Sequence, residues 1–185
     1  RFGGVYLPNG KDTEMFDPDK YNAQASRSRY GLSEYRVLMF PGAPRPHKGV
    51  EDVLMALDII DESDLRLVIV GGSPYDDYDD KLMQRWGRWI VKLPRCPVEQ
   101  MPSIVAAAHV VVVPQRDDLT ARAQFPLKLT DGMAMAKPIL STKVGDIPEI
   151  LDDTGYLVDP GSPQQIATKI KEIFQDLNLA NERGR

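Results

Sequence analysis

Three loops in this sequence carry side chains that could bind a phosphorylated ligand. The first contains Gly42, Arg45, His47 and Lys48 and leads into a helical pattern that begins near Val50. A glycine-containing loop that enters a helix offers free backbone amides and the positive end of the helix dipole, and both favour a phosphate. The loop lacks the Gly-Lys-Ser/Thr ending of a P-loop and the spaced glycines of the dinucleotide fingerprint. On local grounds, a proline-shaped surface loop with a solvated lysine remains an equal alternative.

The second loop follows a run of four valines and enters another helical pattern. Lys128 falls in the first turn of that pattern and Asp131 one turn later, so both can face one cleft. A lysine near a helix start is unfavourable with the dipole, which makes an anionic ligand a reason for its presence. An aspartate there suits the hydroxyl groups of a ribose. A surface salt pair or a capping role stays open as the alternative.

The third loop contains Gly145 and Asp146 and is followed by Pro148 and Glu149. A glycine allows close approach of the backbone to a ligand, whereas proline and glutamate at a helix start are ordinary capping chemistry. The pattern therefore favours a binding role and a structural role equally.

Short apolar runs separated by amphipathic stretches must position these loops. The runs cover residues 37–40, 65–70, 90–93, 110–113, 139–141 and, more weakly, 156–158. Short, largely apolar runs that alternate with helical patterns are typical of buried parallel strands with covering helices. We therefore predict a doubly wound, mostly parallel six-stranded α/β sheet with helices on both faces and ligands at the carboxyl ends of its strands. The segment 12–35 is polar and reads as a connector with one short helix.

Composition excludes several classes of protein. The chain has 185 residues, one cysteine and a net charge of -4, with no clustering of basic residues that would indicate nucleic-acid binding. Area scaling predicts burial of about 70% of the unfolded surface, so one domain can form without disulfides. The longest apolar stretch, residues 104–113, is far shorter than the ~20 residues of a membrane span, and no signal peptide is recognisable. Because the first residue is Arg1, we expect a piece of a longer protein.

The three loops, taken together with other segments, resemble glycosyltransferase family 4, the group 1 glycosyltransferases. The segments that carry the resemblance span residues 5–174 and are Val5-Tyr6-Leu7-Pro8-Asn9-Gly10-Lys11-Asp12 with Phe16, residues 42–49, residues 67–72, Asp131-Gly132-Met133-Ala134 with Lys137-Pro138, and Gly145-Asp146-Ile147-Pro148-Glu149-Ile150. The resemblance implies the GT-B fold, with residues 1–35 as a leading connector and residues 36–185 as the carboxy-terminal domain that binds the nucleotide sugar. It also implies that the amino-terminal acceptor domain is absent from this chain.

By the same resemblance, the enzyme retains the anomeric configuration of the sugar, and Lys48 stabilises the leaving diphosphate. The arginine usual five residues earlier is Ala43 here, so Arg45 is its nearby replacement. The first acid of the family's Glu-x7-Glu motif falls on Ala123, which leaves donor choice and activity open. The donor-binding residues that the resemblance implies are Gly42, His47, Lys128, Asp131 on the ribose, Arg95 near the base, Gly145 and Asp146.

Other motifs are interpreted as structural. The acidic run 76–80 suggests a metal site, but we prefer a solvated helix start and expect no metal or other cofactor. We expect Trp86 and Trp89 to pack at the end of a helix, His109 to be structural and Cys96 not to be a nucleophile.

The predicted function is donor binding in a cytoplasmic glycosyltransferase, with a nucleotide diphosphate sugar as substrate and a glycan or glycolipid as acceptor through the missing domain. We expect the fragment alone to be inactive, and peripheral membrane contact of the full-length protein stays open. Two alternatives remain, a GT-B sugar-nucleotide epimerase domain and a non-catalytic nucleotide-binding or interaction module.

Overall fold

A six-stranded sheet forms the centre of the molecule. The computed structural model describes residues 9–73 and 75–185, so residues 5–8 of the motif quoted above lie outside it. The strands are β1 (Arg36–Phe40), β2 (Leu65–Val70), β3 (Ile90–Leu93), β4 (Val110–Val113), β5 (Ile139–Thr142) and β6 (Tyr156–Val158). They pair in parallel in the order β3-β2-β1-β4-β5-β6. Each predicted apolar run is a strand, and the predicted doubly wound parallel sheet is confirmed.

Helices connect the strands and cover both faces of the sheet. The helices of the described residues are α1 (Ala23–Arg29), α2 (Val50–Ile60), α3 (Tyr78–Trp86), α4 (Met101–Ala106), α5 (Leu119–Arg122), α6 (Leu127–Ala134), α7 (Ile147–Leu151), α8 (Pro163–Gln175) and α9 (Leu177–Gly184). Their boundaries follow local chemistry. Helix α8, for example, starts with Pro163, whose fixed φ suits the first helical position, and α2 ends at Asp61 in the left-handed conformation.

Two apolar cores lie on opposite faces of the sheet. Alternate residues of β1 divide between them, since Leu38 and Phe40 pack with α2, α3 and α8, whereas Val37 and Met39 pack with α4, α6 and α7. All four side chains are fully buried. A strand that is apolar on both faces is stable only between two layers of helices, which is why the runs in the sequence show no polar alternation.

The structure corrects three details of the sequence interpretation. Helix α5 was not predicted, and α9 adds a further helix after Phe174, where we expected the last helix to finish the chain. Trp86 ends α3, but Trp89 lies beyond that helix. Both indoles are buried as expected, and their Nε1 atoms donate to the carboxylate of Asp58 at 2.7 and 2.8 Å.

The strand order places a switch point between β1 and β4. From β1 the chain proceeds to β2 and β3 on one side, whereas β4 leads to β5 and β6 on the other. The loops after these two central strands therefore diverge and leave a crevice at the carboxyl edge of the sheet, where ligands bind in open α/β folds. The first two predicted loops meet at this position.

Candidate functional site

The loop after β1 folds back on itself through its lysine. Lys48 ends a 3-10 turn, Pro46–Lys48, and its Nζ donates to the carbonyl oxygen of Ala43 at 3.0 Å. Partial burial, together with the charge of Arg45, lowers the pKa of Lys48. An ammonium that has lost part of its hydration gains more from a nearby anion than a fully hydrated one, because less water competes for it.

The loops after β1 and β4 are locked together by their backbones. Gly49 adopts φ +66°, and a Cβ at this position would lie 1.8 Å from the carbonyl oxygen of Pro114. Nearby, the amide of Arg116 donates to the carbonyl oxygen of His47 at 2.9 Å. Glycine is therefore required at position 49 by conformation and by space, and the loop that carries Lys48 is held against the end of β4.

The start of helix α2 already carries its own negative charge. Glu51 and Asp52 lie in its first turn, and the guanidinium of Arg116 bridges them at 2.8 and 3.3 Å. These acids complement the positive end of the α2 dipole. The sequence analysis assigned Arg116 no role, and the structure shows that it joins the two loops at the switch point.

The first turn of helix α6, unlike that of α2, carries no acidic residue. The N-cap of α6, Pro126, makes no side-chain cap for this turn. That turn instead holds Lys128, which is only 8% exposed and whose Nζ lies 4.8 Å from the centroid of the Phe40 ring. Burial and the charge of Lys48 lower the pKa of Lys128 to about 7. Among the residues that the structure describes, this ammonium has no hydrogen bond and no ion pair, so an anion bound here would compensate it.

Asp131, one turn further along α6, forms an ion pair with Lys11. Asp131 is only 7% exposed, so this ion pair is largely shielded from solvent, and its role as a ribose acceptor stays a prediction. Lys11 belongs to the motif that carried the family resemblance, yet sequence reasoning gave it no role. No periodic pattern connects the two residues, because they meet only through the tertiary fold.

His47 faces the segment that follows α5. Burial and the charge of Lys48 lower the pKa of His47, and its side chain forms a hydrogen bond with Gln124. Gly42, at the start of the same loop, adopts φ +132°, and a Cβ there would have nothing within 4 Å. Glycine is favoured at position 42 by the backbone conformation alone, whereas at position 49 the lack of space for a Cβ also requires it.

Arg45 and Arg95 both lie beside the segment that follows β2. The guanidinium of Arg45 contacts Asp76 at 3.2 Å, so an acid of the loop after β2 partly neutralises it. Arg95, after β3, is exposed, and its Cα would lie 3.9 Å from a Cβ on Gly71. Arg45 also acts electrostatically on Lys48, and the predicted roles of Arg45 at the diphosphate and of Arg95 at the base stay predictions.

A small cleft of about 200 Å³ lies beside the start of α6. Gly145, in the left-handed conformation at φ +57°, and Asp146, the N-cap of α7, line one wall. The opposite wall is formed by residues 122–126, which include Ala123. The structure thus brings the second and third predicted loops to a common cleft.

The acidic run after β2 is engaged in ion pairs. Asp76 contacts Arg45, Asp77 contacts Lys81 at 2.8 Å, and Asp79 contacts Lys92. The predicted helix start is present, but Asp79 is largely buried rather than solvated. Within the described ranges no group of three or more acidic, histidine or cysteine side chains could hold a metal ion. That the reaction needs no metal stays a prediction.

His109 has the structural role that the sequence predicted. His109 Nδ1 accepts a hydrogen bond from the amide of Val37 at 3.0 Å, and burial, with Arg27 nearby, lowers the pKa of His109 to about 4. It is therefore a neutral hydrogen-bond acceptor within the fold.

No helix in the described part of the chain is long and apolar enough to cross a membrane.

Lys48 and Lys128 interact electrostatically at the switch point of a doubly wound sheet, the position at which open α/β folds bind their ligands. A family model described as glycosyl transferases group 1 matches residues 35–176. The chain belongs to the group 1 glycosyltransferases.

Comparisons with individual proteins agree with this assignment. The chain is 28% identical to a GDP-mannose-dependent alpha-(1-6)-phosphatidylinositol monomannoside mannosyltransferase of Mycolicibacterium smegmatis, with 97% of this chain and 49% of the relative covered. The chain spans about half the length of the curated relatives it matches.

Two solved structures show the same architecture. The fold matches HepE of Anabaena in complex with UDP-glucose with a TM-score of 0.79, at 20% identity, over 95% of this chain and 49% of that chain. It matches the C-terminal domain of LpcC, a group 1 family glycosyl transferase of Francisella tularensis, with a TM-score of 0.75 and 25% identity. There the match covers 95% of this chain and 93% of that domain. The sheet and its surrounding helices are therefore a Rossmann-like domain of the GT-B fold.

Proposed function

We propose that this chain is the carboxy-terminal, donor-binding domain of a retaining family 4 glycosyltransferase that takes its sugar from a nucleotide diphosphate sugar. Residues 36–185 form the donor domain, residues 1–35 lead into it, and the acceptor domain lies outside this sequence. Two findings support this division. The match to relatives covers about half of their length, and the match to the LpcC C-terminal domain covers nearly all of that domain.

The observation that carries the proposal is the state of Lys128. A buried ammonium costs free energy unless a negative charge compensates it, and Lys128 is also repelled by Lys48. A diphosphate between the two lysines and the first amides of α6 would relieve both effects. A neutral ligand would relieve neither effect.

The arrangement suits the transfer of a sugar. When the bond between the anomeric carbon and the diphosphate oxygen breaks, negative charge accumulates on the leaving phosphate. Lys48 and Lys128 would be fixed close to that charge before the reaction, so little reorganisation is required as it develops. Arg45 adds a more distant positive charge, which Asp76 partly offsets.

The remaining predicted residues have supporting roles in this proposal. Asp131 accepts hydrogen bonds from the ribose, Arg95 lies towards the base, and His47 and Gly42 shape the phosphate loop. Gly145 and Asp146 border the cleft of about 200 Å³, which has room for a sugar ring. Ala123 in its wall offers a methyl group where an acid would bind hydroxyl groups, so we expect weaker contacts with the sugar here.

The acceptor is a glycan or a glycolipid bound by the other domain. The mycobacterial relative is named for a phosphatidylinositol monomannoside acceptor, which supports a lipid-linked acceptor. A cytoplasmic enzyme with peripheral membrane contact stays a prediction. Since the acceptor site lies elsewhere, we expect the isolated domain to bind donor without transferring sugar.

A thermal-shift titration tests donor binding. The ligands are UDP, GDP and ADP with their glucose and mannose conjugates. A ligand at 100 times its Kd adds about 2.7 kcal/mol to the free energy of unfolding, or roughly 5 to 10 °C in Tm. The shift should disappear in Lys48→Met and persist in Lys169→Met, an exposed lysine paired with Glu172 on α8. A folded wild-type chain that responds to none of these ligands would contradict the proposal.

A further inference from the structure

A mostly buried ion pair joins the amino-terminal segment to helix α6. The ammonium of Lys11 contacts the carboxylate of Asp131, and the two side chains are only 19% and 10% exposed. The same ammonium lies 3.7 Å from the centroid of the Phe16 ring. Lys11 thus has a carboxylate on one side and an aromatic face on the other, an arrangement that restricts its position.

The backbone next to Lys11 is also fixed. Asp12 Oδ1 accepts hydrogen bonds from the amides of Glu14 and Met15, each at 3.0 Å, and the amide of Phe16 donates to the Asp12 carbonyl at 2.9 Å. Phe16 is 1% exposed and anchors this turn in the core. Lys11 therefore presents its charge to α6 from a rigid turn rather than from a mobile tail.

We propose that Lys11 is a positioning residue that makes Asp131 selective for ribose. This inference rests on the proposed function, because it assigns the ligand of Asp131 to the sugar of a ribonucleotide. A carboxylate has two oxygen atoms and accepts hydrogen bonds without donating any while it is ionised. Lys11 occupies Oδ1 and thereby leaves Oδ2 for a ribose hydroxyl.

Lys11 also compensates the negative charge that lies next to Lys128 on α6. Asp131 interacts electrostatically with Lys128, one turn before it on the helix. Without Lys11, the buried carboxylate would have Lys128 as its remaining nearby cation and would draw that ammonium away from the phosphate. With Lys11 in place, Asp131 is compensated and Lys128 stays available for the diphosphate.

The test compares ribonucleotides with deoxyribonucleotides. The dissociation constants of UDP, GDP and ADP and of their 2′-deoxy and 3′-deoxy counterparts are measured calorimetrically for the wild type and for Lys11→Met. Methionine keeps the apolar stem on Phe16 but removes the charge. A hydrogen bond to a charged group corresponds to a preference of about 10-fold to 100-fold for the ribonucleotide in the wild type. We expect this preference to fall below about 3-fold in Lys11→Met and to return in Lys11→Arg.

Two further variants complete a double-mutant cycle. They are Asp131→Asn and the combination of Lys11→Met with Asp131→Asn. If Lys11 acts through Asp131, its replacement has no further effect on the preference once residue 131 is an asparagine. The double variant removes both charges of the Lys11–Asp131 pair, so neither partner is left charged without the other and the variant stays measurable even if Lys11→Met alone unfolds. Lys169→Met serves as the matched control.

The outcomes separate the two proposals. A chain that binds the diphosphates but shows the same preference in Lys11→Met as in the wild type, with only its Tm lowered, would assign Lys11 a purely structural role and overturn this inference. A wild type that binds diphosphates without any preference for ribose would also overturn it, while leaving donor-phosphate binding intact. A wild type that binds no nucleotide would remove the proposed function itself.

Discussion

The carbonyl oxygen of Pro114 lies 1.8 Å from the position that a Cβ on Gly49 would occupy. This close approach brings the end of β4 against the loop that carries Lys48. We predict that Gly49→Ala lowers the free energy of unfolding by more than 3 kcal/mol, because the new methyl group meets a backbone atom that cannot rotate away.

Gly161→Ala is the matched control for this prediction. Gly161 has φ +69°, close to the +66° of Gly49, but a Cβ there has nothing within 4 Å. Its cost should be about 1 kcal/mol, the conformational penalty alone. Urea unfolding of both variants gives the two values, and equal costs would show that the contact with Pro114 has relaxed.

Replacement of Lys128 should stabilise the folded chain and weaken its binding of nucleotide. Replacing this buried ammonium with methionine removes a desolvation cost, so we expect Lys128→Met to raise the free energy of unfolding by about 1–4 kcal/mol at pH 7. The same variant should bind the nucleoside diphosphate about 10-fold to 100-fold more weakly. Urea unfolding and calorimetric titration measure the two effects, and a variant that is both less stable and fully able to bind would argue against the anion site.

The pKa of Lys128 predicts how stability depends on pH. Its folded pKa of about 7 lies below the ordinary lysine value of about 10.4, so between these limits the unfolded chain holds more protons. The free energy of unfolding of the ligand-free chain should therefore rise with pH across this window. Lys137, whose pKa burial lowers to about 8, adds a contribution of the same sign. The difference between wild type and Lys128→Met isolates the part due to Lys128.

Binding of a diphosphate should return a proton to Lys128. An anion beside Lys128 favours the charged ammonium, so at pH 8 we expect binding to take up between about 0.5 and 1 proton. Calorimetric titration in buffers with different ionisation enthalpies measures this number. His47 and Lys48, both with lowered pKa values, also face the site. Loss of most of the uptake in Lys128→Met would assign it to that residue, and unchanged uptake would assign it to these neighbours.

Asp58 should stabilise the fold independently of the site. Its carboxylate accepts hydrogen bonds from the indoles of Trp86 and Trp89, the two tryptophans of the sequence. Asp58→Ala leaves two buried donors without an acceptor, so we expect a loss of about 2–4 kcal/mol in the free energy of unfolding with unchanged nucleotide affinity. Intrinsic fluorescence, which arises mainly from these two residues, follows the unfolding directly. Loss of nucleotide binding in a folded Asp58→Ala chain would contradict this separation.

The fold could be predicted from the sequence because each element carries its own signal. Residues 67–70 and 110–113 are apolar without interruption, which only a strand covered on both faces accommodates. Helix α9 was missed because its buried surface is small, with Ala180 as its fully buried apolar residue, so its periodicity is weak. Helix α5 has four residues, too few to show a period.

The candidate site could be predicted in part. Lys48, Lys128 and Asp131 were selected because a loop at a strand end and a position in a first turn are local features of a sequence. Their burial and the shifted pKa of Lys128 could not be read there, since both depend on which side chains surround them.

The sequence by itself determined the six strands, most of their covering helices and the loops that carry the cations, because periodicity and turn chemistry act over a few residues. Only the tertiary structure decided that Lys11 pairs with Asp131, that Pro114 requires a glycine at position 49, and that Arg116 joins two loops. Such contacts join residues far apart in the chain, and their partners are fixed by strand order and packing rather than by any local pattern.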